Sequence, residues 1–368
     1  MKNTYKDAGY TYTINRLQET ARTFRNLGDA YGETNQKQTG FKRQLILAAD
    51  ILEECVAMNL DAKAPDKQER REFERKCMAM GISVKDIKLV DGKRREILVT
   101  AKTFMKGCVS ERVLRETVSS VFKAKFFSNQ DNRVIINEEP DQYVFYQENR
   151  FRILSGMARK CKEEENTSGD NFLLKKLNCG KMVAAIADGC GSGKRAFAES
   201  RMVIELMENC IEAGFEEKTA IDLINSAYIA GTTFNNPVTM DMSVVDCQSG
   251  IMHCIKMGAV STFIKREGWV EIIKSSTLPM GVLEQVDYDC TDKKLYDGDY
   301  VIMISDGVLD NLPCVNKEEK LVEIINSVRM KKPKAIADEI LKKSMGYNHE
   351  KVFDDCTVLV FGLLSLIH

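Results

Sequence analysis

The sequence predicts an α+β fold in two parts, with a change of character near residue 149. Residues 1–148 combine helical patterns with short strands, whereas residues 149–368 are mostly β and contain two long helical segments near their start. A chain of 368 residues is long enough for two domains. We therefore expect a smaller α+β region over 1–148 and a larger domain over 149–368.

The smaller region is predicted from hydrophobic periodicity. Apolar residues recur there at spacings of three and four, which is typical of amphipathic helices. Helices are expected over 11–32, 41–59, 66–80 and 110–124. The segment 82–102 contains two strand patterns separated by Asp91-Gly92, which indicates a β-hairpin, and short strands are expected over 133–137 and 142–147. The apolar stripe on the first helix suits either a core or a partner, so a homodimer through the N-terminal helices is one expectation.

The larger domain is predicted from short apolar runs bounded by turn residues. Strands are expected over 151–160, 171–178, 181–187, 241–247, 251–257, 260–266, 284–291, 299–305 and 357–363. Helices are expected over 192–214, 217–230, 317–328 and 333–345. This part of the chain is therefore expected to be dominated by β-sheet.

The overall composition excludes several classes of function. The 53 basic and 54 acidic residues give a net charge of -1, which offers no general basis for binding nucleic acid or an anionic membrane. The longest apolar run, TVLVFGLLSLI, is shorter than the roughly 20 residues of a membrane span. Twelve singly spaced cysteines and three histidines disfavour a zinc site and fit a reducing cytoplasm. We expect a cytoplasmic protein, associated with a membrane only as a piece of a longer membrane protein.

Two aspartates mark one end of a predicted hairpin. The sequence SGDNFLLKKLNCGKMVAAIADG places Asp170 at the start of one strand and Asp188 at the end of the next. A turn over 178–181 would place residue 171 opposite residue 188. Like charges that face each other destabilise a sheet, and a cation between them would remove the problem.

Other aspartates also lie at the ends of apolar strands. Asp306 follows the run YVIMIS, and Asp354 and Asp355 precede the run CTVLVF. A single Asp-Gly after a strand is usually only a turn. Several such carboxylates in one region favour a site for a hard cation such as Mg²⁺ or Mn²⁺.

The glycine-rich stretch after Asp188 does not match a nucleotide-binding loop. A Walker A loop requires Gly-Lys followed by Ser or Thr, but here Lys194 is followed by Arg195. The dinucleotide pattern also fails, because it requires glycine at position 194. The charges of Lys194 and Arg195 could help to bind a phosphate, but a solvated helix face is the favoured explanation for them.

Taken in order, the motifs resemble those of a known enzyme family. They are SGDNF, ADGCGSG, MDMSVVDCQSG, KMGAVSTFIKR, SSTLPMG, YDGDYVIMISDGV and DDCTVLV. Over about 150–363 the sequence resembles the PP2C-type (PPM) serine/threonine phosphatases, and it is most similar to the phosphatase domain of a sporulation protein among them. The resemblance implies two stacked antiparallel sheets flanked by helices, preceded by a smaller α+β regulatory region.

The resemblance also implies a centre of two Mn²⁺ or Mg²⁺ ions. Asp188 would bridge both ions, and the carbonyl group of Gly189 would contribute to one. Asp306 and Asp354 would hold one ion, although Asp355 remains an alternative to Asp354. Asp170 would lie on the other side of the centre. The catalytic set would then be Asp188, Asp306 and Asp354.

The implied reaction is hydrolysis of phosphoserine by a metal-activated water. The implied substrate is a phosphoprotein, namely an anti-sigma-factor antagonist in sporulation signalling, and the helices over 192–230 would couple a regulatory region to the centre. A stress-response phosphatase of the same superfamily fits the motifs equally well. A pseudo-phosphatase that only binds partners is a second alternative. A two-metal nucleotidyl transferase or cyclase is a third, but it would need a triphosphate-binding loop.

Overall fold

The structure is a computed structural model, and its described residues cover most of the chain. They are 16–27, 42, 45–53, 56, 62–91, 95–104, 107–129, 131–162, 168–177, 180–191, 193–212, 215–230, 236–283, 285–346 and 354–366. The chain divides into two compact units. The smaller unit contains residues 55–150 and 178–180, and the larger unit contains the remainder. The functional division at residue 148 remains a prediction.

Two N-terminal helical segments belong to the larger unit. Residues 16–27 form α1 and residues 45–53 form α2. Arg25 on α1 forms ion pairs with Asp50 at 2.7 Å and with Glu53 at 2.9 Å on α2. Both segments lie inside the predicted helices, and most of the remaining predicted residues lie outside the described ones.

The smaller unit is a sheet packed against two helices. Its helices are α3 (Lys67–Ala79) and α4 (Glu111–Val121). Its strands are β1 (Ala62–Lys63), β2 (Ile82–Asp91), β3 (Arg95–Thr103), β4 (Val109–Ser110), β5 (Phe126–Ser128), β6 (Ile135–Ile136) and β7 (Asp141–Gln147). The main sheet has the order β1-β2-β3-β7-β5. Phe73 of α3 and Leu114 of α4 are fully buried against Ile97 of β3, so this unit has its own core.

The larger unit contains two five-stranded sheets. Its strands are β8 (Phe151–Lys160), β9 (Asp170–Lys176), β10 (Lys181–Gly189), β11 (Val238–Asp246), β12 (Ile251–Met257), β13 (Thr262–Arg266), β14 (Trp269–Ile273), β15 (Asp289–Lys294), β16 (Tyr300–Ile304) and β17 (Cys356–Ser365). One sheet has the order β15-β12-β11-β10-β9 and the other has the order β14-β13-β16-β17-β8. Neighbouring strands in both sheets are antiparallel.

Helices cover the outer faces of the two sheets. They are α5 (Gly193–Glu212), α6 (Glu217–Ala230), α7 (Asp306–Asp310), α8 (Lys317–Ser327) and α9 (Pro333–Met345). Ile186 of the first sheet and Leu359 of the second share one buried core between the sheets. Met207 of α5 packs on the outside of the first sheet, and Ile340 of α9 packs on the outside of the second. The expected α+β fold with stacked antiparallel sheets and flanking helices is therefore confirmed.

Three local predictions differ from the structure. The strand predicted over 284–291 is Asp289–Lys294, a polar edge strand without the apolar pattern used to place it. Strand β14 was not predicted; it folds back on β13 after Gly268, which has a φ of 83°. The Asp306-Gly307 turn continues as the short helix α7. None of the helices in the described ranges is long and apolar enough to cross a bilayer.

Candidate metal centre

The β9–β10 hairpin places two aspartates face to face. Asp188 is the direct cross-strand partner of Asp170. The prediction that residue 171 faces residue 188 was wrong by one position, because the N–H of Leu177 donates to the carbonyl of Lys181 at 2.8 Å. Residues 178 and 179 of the predicted turn lie outside the described part of the chain. Two like charges are therefore opposed more directly than the sequence suggested.

One carboxylate oxygen of Asp170 accepts a hydrogen bond, and the other has no hydrogen-bond partner among the described residues. Its side chain is buried, with 1% exposed. The Thr357 hydroxyl donates to Asp170 Oδ2 at 2.6 Å, which ties the first sheet to the second. Asp170 Oδ1 is buried and has no hydrogen-bond partner among the described residues. A buried acceptor without a partner carries a free-energy cost that a bound cation would relieve.

Asp306 and Asp354 come from neighbouring strands of the second sheet. Asp306 starts α7 directly after β16, and Asp354 precedes β17. A Cβ atom at Gly307 would lie 2.2 Å from the carbonyl oxygen of Asp355. Only glycine therefore lets the start of α7 approach the 354–355 loop this closely.

Gly189 makes a similar close contact on the opposite sheet. A Cβ atom there would lie 2.4 Å from the carbonyl oxygen of Ala196 on α5. The side chain of Asn171 on β9 donates to Ser200 Oγ at 2.8 Å on the same helix. The first turns of α5 are thus packed and hydrogen-bonded against the strands that carry Asp170 and Asp188.

Asp355, unlike Asp354, accepts hydrogen bonds from distant backbone N–H groups through both of its carboxylate oxygens. Its Oδ1 accepts from the backbone N–H of Lys162 at 3.0 Å, and its Oδ2 accepts from that of Gly169 at 2.6 Å. The residue is 4% exposed. Both oxygens of Asp355 therefore bind backbone segments that border the centre.

The electrostatics show that these carboxylates are close neighbours. Burial, together with the negative charges of Asp170, Asp306 and Asp354, raises the pKa of Asp188 to about 8. Burial also raises the pKa of Asp170 to about 7, against the opposing hydrogen bond from Thr357. The pKa of Asp306 is raised by burial and by Asp354. Ionising this group of side chains is unfavourable without a compensating positive charge.

The six predicted residues lie at one end of the sandwich, but they do not already form a coordination shell. In the described ranges, no group of three or more Asp, Glu, His or Cys side chains is arranged as a metal-ion site. Sequence reasoning missed the supporting contacts of Thr357 and Gly169. The Asp-Asp-Cys-Thr motif and the Ser-Gly-Asp motif contain both residues and were the available signal.

Another buried carboxylate lies in the same sheet as Asp170 and Asp188, outside the candidate centre. Asp241 on β11 is the cross-strand partner of Lys256 on β12, and their charged groups are 2.7 Å apart. Their side chains are 2% and 1% exposed. The Thr262 hydroxyl donates to Asp241, and Lys256 Nζ donates to the carbonyl of Val260 at 2.6 Å. This pair was not predicted, although two charges inside apolar strand patterns were visible in the sequence.

Comparison with known proteins identifies the family. The family model "Stage II sporulation protein E (SpoIIE)" matches residues 178–363, which is half of the chain. Stage II sporulation protein E of Bacillus subtilis is 30% identical over 68% of this chain and 30% of its own length. The Priestia megaterium protein of the same name is 34% identical over 58% of this chain and 37% of its own length. The chain thus spans about a third of the length of these curated relatives.

A solved structure extends the similarity to both units. It contains the PP2C phosphatase domain and a fragment of the regulatory domain of SpoIIE from Bacillus subtilis. The match has a TM-score of 0.63 at 24% identity and covers 89% of this chain and 94% of that one. Together with the family-model match, this likeness confirms the predicted resemblance. The chain belongs to the stage II sporulation protein E family, and its sandwich has the PP2C-type phosphatase fold.

Proposed function

We propose that this chain is a metal-dependent protein-serine/threonine phosphatase. The observation that carries the proposal is the direct pairing of Asp170 with Asp188 at an end of the sandwich that also holds Asp306 and Asp354. The main electrostatic partners of Asp188 and Asp306 are other carboxylates and include no cationic side chain, which suits binding of divalent cations. The phosphatase fold of the related SpoIIE structure supports the same reading.

The residues present fit a centre of two Mn²⁺ or Mg²⁺ ions. Carboxylate oxygens are the hard ligands that these ions prefer, and Asp170 Oδ1 is a buried acceptor without a described partner. Asp188, Asp306 and Asp354 would hold the ions, together with the carbonyl of Gly189 and with Asp170. When bound, such ions lower the pKa of a water and neutralise phosphoryl charge.

The hydrogen bonds favour Asp354 over Asp355 as a ligand. Both oxygens of Asp355 already accept from backbone N–H groups, and exchanging them for a metal would leave Lys162 and Gly169 without acceptors. Asp354 Oδ1 accepts only from the next residue, at 2.9 Å. We therefore assign Asp355 to holding the loops in place and Asp354 to the ions.

In this proposal the chain's own side chains position the proposed metal ligands and do not attack the phosphate themselves. Thr357 fixes Asp170, while Asn171 and Ser200 hold α5 against the strands that end at the centre. Bound divalent ions would supply the activation of water, so the site would need no cysteine or histidine nucleophile. The proposed reaction is therefore direct hydrolysis of a phosphoserine ester.

The relatives supply the finer part of the proposal. Because they are sporulation proteins, we propose that the substrate is a phosphorylated anti-sigma-factor antagonist. The phosphatase would then act in sigma-factor regulation, in a reducing cytoplasm. The helices α5 and α6 would transmit a signal to the centre, and the N-terminal helices would support a homodimer.

The test is release of phosphate from the phosphorylated antagonist with increasing Mn²⁺. We expect Asp188→Ala to lower kcat/KM by more than about 100-fold, since even residues that only support metal ligands contribute 10–100-fold. Calorimetric titration should show loss of Mn²⁺ binding in the same variant. The matched control is Asp292→Ala, an exposed aspartate on β15 that should keep both properties. Full turnover by folded Asp188→Ala would disprove the proposal.

A pair of adjacent substitutions separates the two roles in the 354–355 loop. Asp354→Asn should lose Mn²⁺ binding and retain its free energy of unfolding. Asp355→Asn should lose about 1–3 kcal/mol of stability, because buried backbone donors lose a charged acceptor. The reverse pattern would transfer the ligand role to Asp355.

A further inference from the structure

Four exposed apolar side chains lie at the end of α6 and on the segment that follows β14. Leu278, Val282 and Leu283 are 43%, 44% and 44% exposed, and Ile229 at the end of α6 is 40% exposed. We call these four residues the apolar rim. Clustered exposed apolar side chains on a folded domain commonly mark an interaction surface.

The apolar rim is joined to the centre through the backbone. Met280, between Leu278 and Val282, forms a β-bridge with Val238, and their N–H and C=O groups bond at 3.1 and 2.9 Å. Val238 is in turn the cross-strand partner of Gly189, the residue after Asp188. The segment that carries the rim therefore extends the sheet beside the proposed metal ligands.

The segment is also held rigidly in place. The fully buried Asn225 of α6 donates to the carbonyl of Leu283 at 3.1 Å and accepts from the N–H of Gly281 at 3.0 Å. Gly281 has a φ of 86°, and a Cβ atom there would lie 2.8 Å from the ring of Tyr228. Because the backbone is fixed, the apolar side chains are presented without a large entropic cost on binding.

Positive charge borders the same surface. Lys194 and Arg195 occupy the first turn of α5, directly after the centre, and both are exposed. Burial and the negative charge of Glu199 raise the pKa of the Tyr228 phenol to about 12, and the charge of Arg195 opposes them. Arg195 is itself 61% exposed and forms an ion pair with the buried Glu199 at 3.3 Å. Arg195 thus lies close to the residue against which Gly281 packs. A phosphoserine carries a charge of about −1.5 to −2 at neutral pH, so its carrier would complement this edge.

We propose that the apolar rim is the docking surface for the protein that carries the phosphoserine. This inference rests on the proposed function. The partner is a folded protein with apolar side chains beside its phosphoserine, and it contacts the rim while the phosphate reaches the centre. Apolar contact would provide most of the affinity, and Lys194 and Arg195 would steer the phosphorylated surface into place.

The experiment compares a protein substrate with a small one in the full chain. Val282→Glu and Leu283→Glu are assayed with the phosphorylated anti-sigma-factor antagonist and with p-nitrophenyl phosphate. We expect the ratio of kcat/KM for the protein to kcat/KM for the small ester to fall about tenfold, through a higher KM for the protein. The matched control is Ile251→Glu, which is 37% exposed at the far end of the same sheet and should keep the wild-type ratio.

Each other outcome has a defined meaning. An unchanged ratio in both variants overturns the inference, as does an equal loss with both substrates. A changed sedimentation profile with an unchanged ratio would show that the rim binds a second copy of the chain, and liposome binding lost in the variants would show a membrane surface. If a Glu variant does not fold, Leu283→Ser replaces it. A wild-type protein that hydrolyses neither ester refutes the proposed function instead.

Discussion

Two cross-strand pairs in the same sheet have the same geometry and opposite chemistry. Asp241 faces Lys256 and is neutralised at 2.7 Å, whereas Asp170 faces Asp188 with no opposite charge between them. The first pair lies within β11 and β12, and the second lies at the start of β9 and near the end of β10. The difference teaches that the fold supplies its own counter-ion where the charge is structural. At the end of the sandwich, the counter-charge would come from the bound ions of the proposed function.

The largest expected loss of stability comes from removing the counter-ion of the Asp241–Lys256 pair. Lys256→Met would leave Asp241 charged and buried, so we expect a loss of about 3–5 kcal/mol in the free energy of unfolding measured with urea. Lys274→Met is the control, because Lys274 pairs with Glu318 but is 65% exposed, and its loss should stay below about 1 kcal/mol. Equal losses in the two variants would refute the contrast. Adding Asp241→Asn to Lys256→Met should restore part of the stability.

A smaller effect is expected where packing brings the acidic loops together. Gly307→Ala would force a Cβ atom against the carbonyl of Asp355, 2.2 Å away. We expect a loss of about 1–3 kcal/mol in stability and weaker Mn²⁺ binding by calorimetry, because the 354–355 loop must move. Gly346→Ala is the control, since its nearest neighbour would be 3.5 Å away. A fully stable Gly307→Ala protein with normal Mn²⁺ affinity would show that this contact is not needed.

The last prediction concerns how the free energy of unfolding of the metal-free protein, prepared with a chelator, depends on pH. The pKa of Asp188 rises from 3.8 to about 8 on folding, so the folded state binds more protons between these values. Its contribution to the free energy of unfolding therefore falls as pH rises from about 4 to about 8. Asp188→Asn cannot ionise, so its stability relative to the wild type should be greater at pH 8 than at pH 5. Thermal melts in EDTA at pH 5 and pH 8 measure this difference. Parallel pH profiles of the two proteins would contradict it.

The positions of the aspartates at the strand ends could be predicted from the sequence, but the hydrogen bonds that these residues form could not. Asp170, Asp188 and Asp306 were identifiable because each interrupts or ends an apolar run. Asp354 and Asp355 could not be separated, because the choice depends on backbone N–H groups at Lys162 and Gly169, almost two hundred residues earlier. Such long-range hydrogen bonds have no local sequence signal.

The missed elements have similar physical explanations. Strand β15 is polar and lies at a sheet edge, so it lacks an apolar pattern. The Asp241–Lys256 pair could have been found from the predicted hairpin over 241–257, because the turn fixes which residues face each other. The exact register of β9 and β10 depended on a loop one residue longer than a two-residue turn.

The position of β17 has a consequence for protein synthesis. This strand lies between β16 and β8, and it brings Thr357 to Asp170 and Asp355 to Gly169. A ribosome releases residues 151–189 long before it releases residues 354–365. The nascent chain therefore carries Asp170, Asp188 and Asp306 without the strand that joins them. Translation must pass β17 before these contacts can form, so chains that terminate before residue 354 would lack Asp354, Asp355 and Thr357 and, with them, the proposed metal centre.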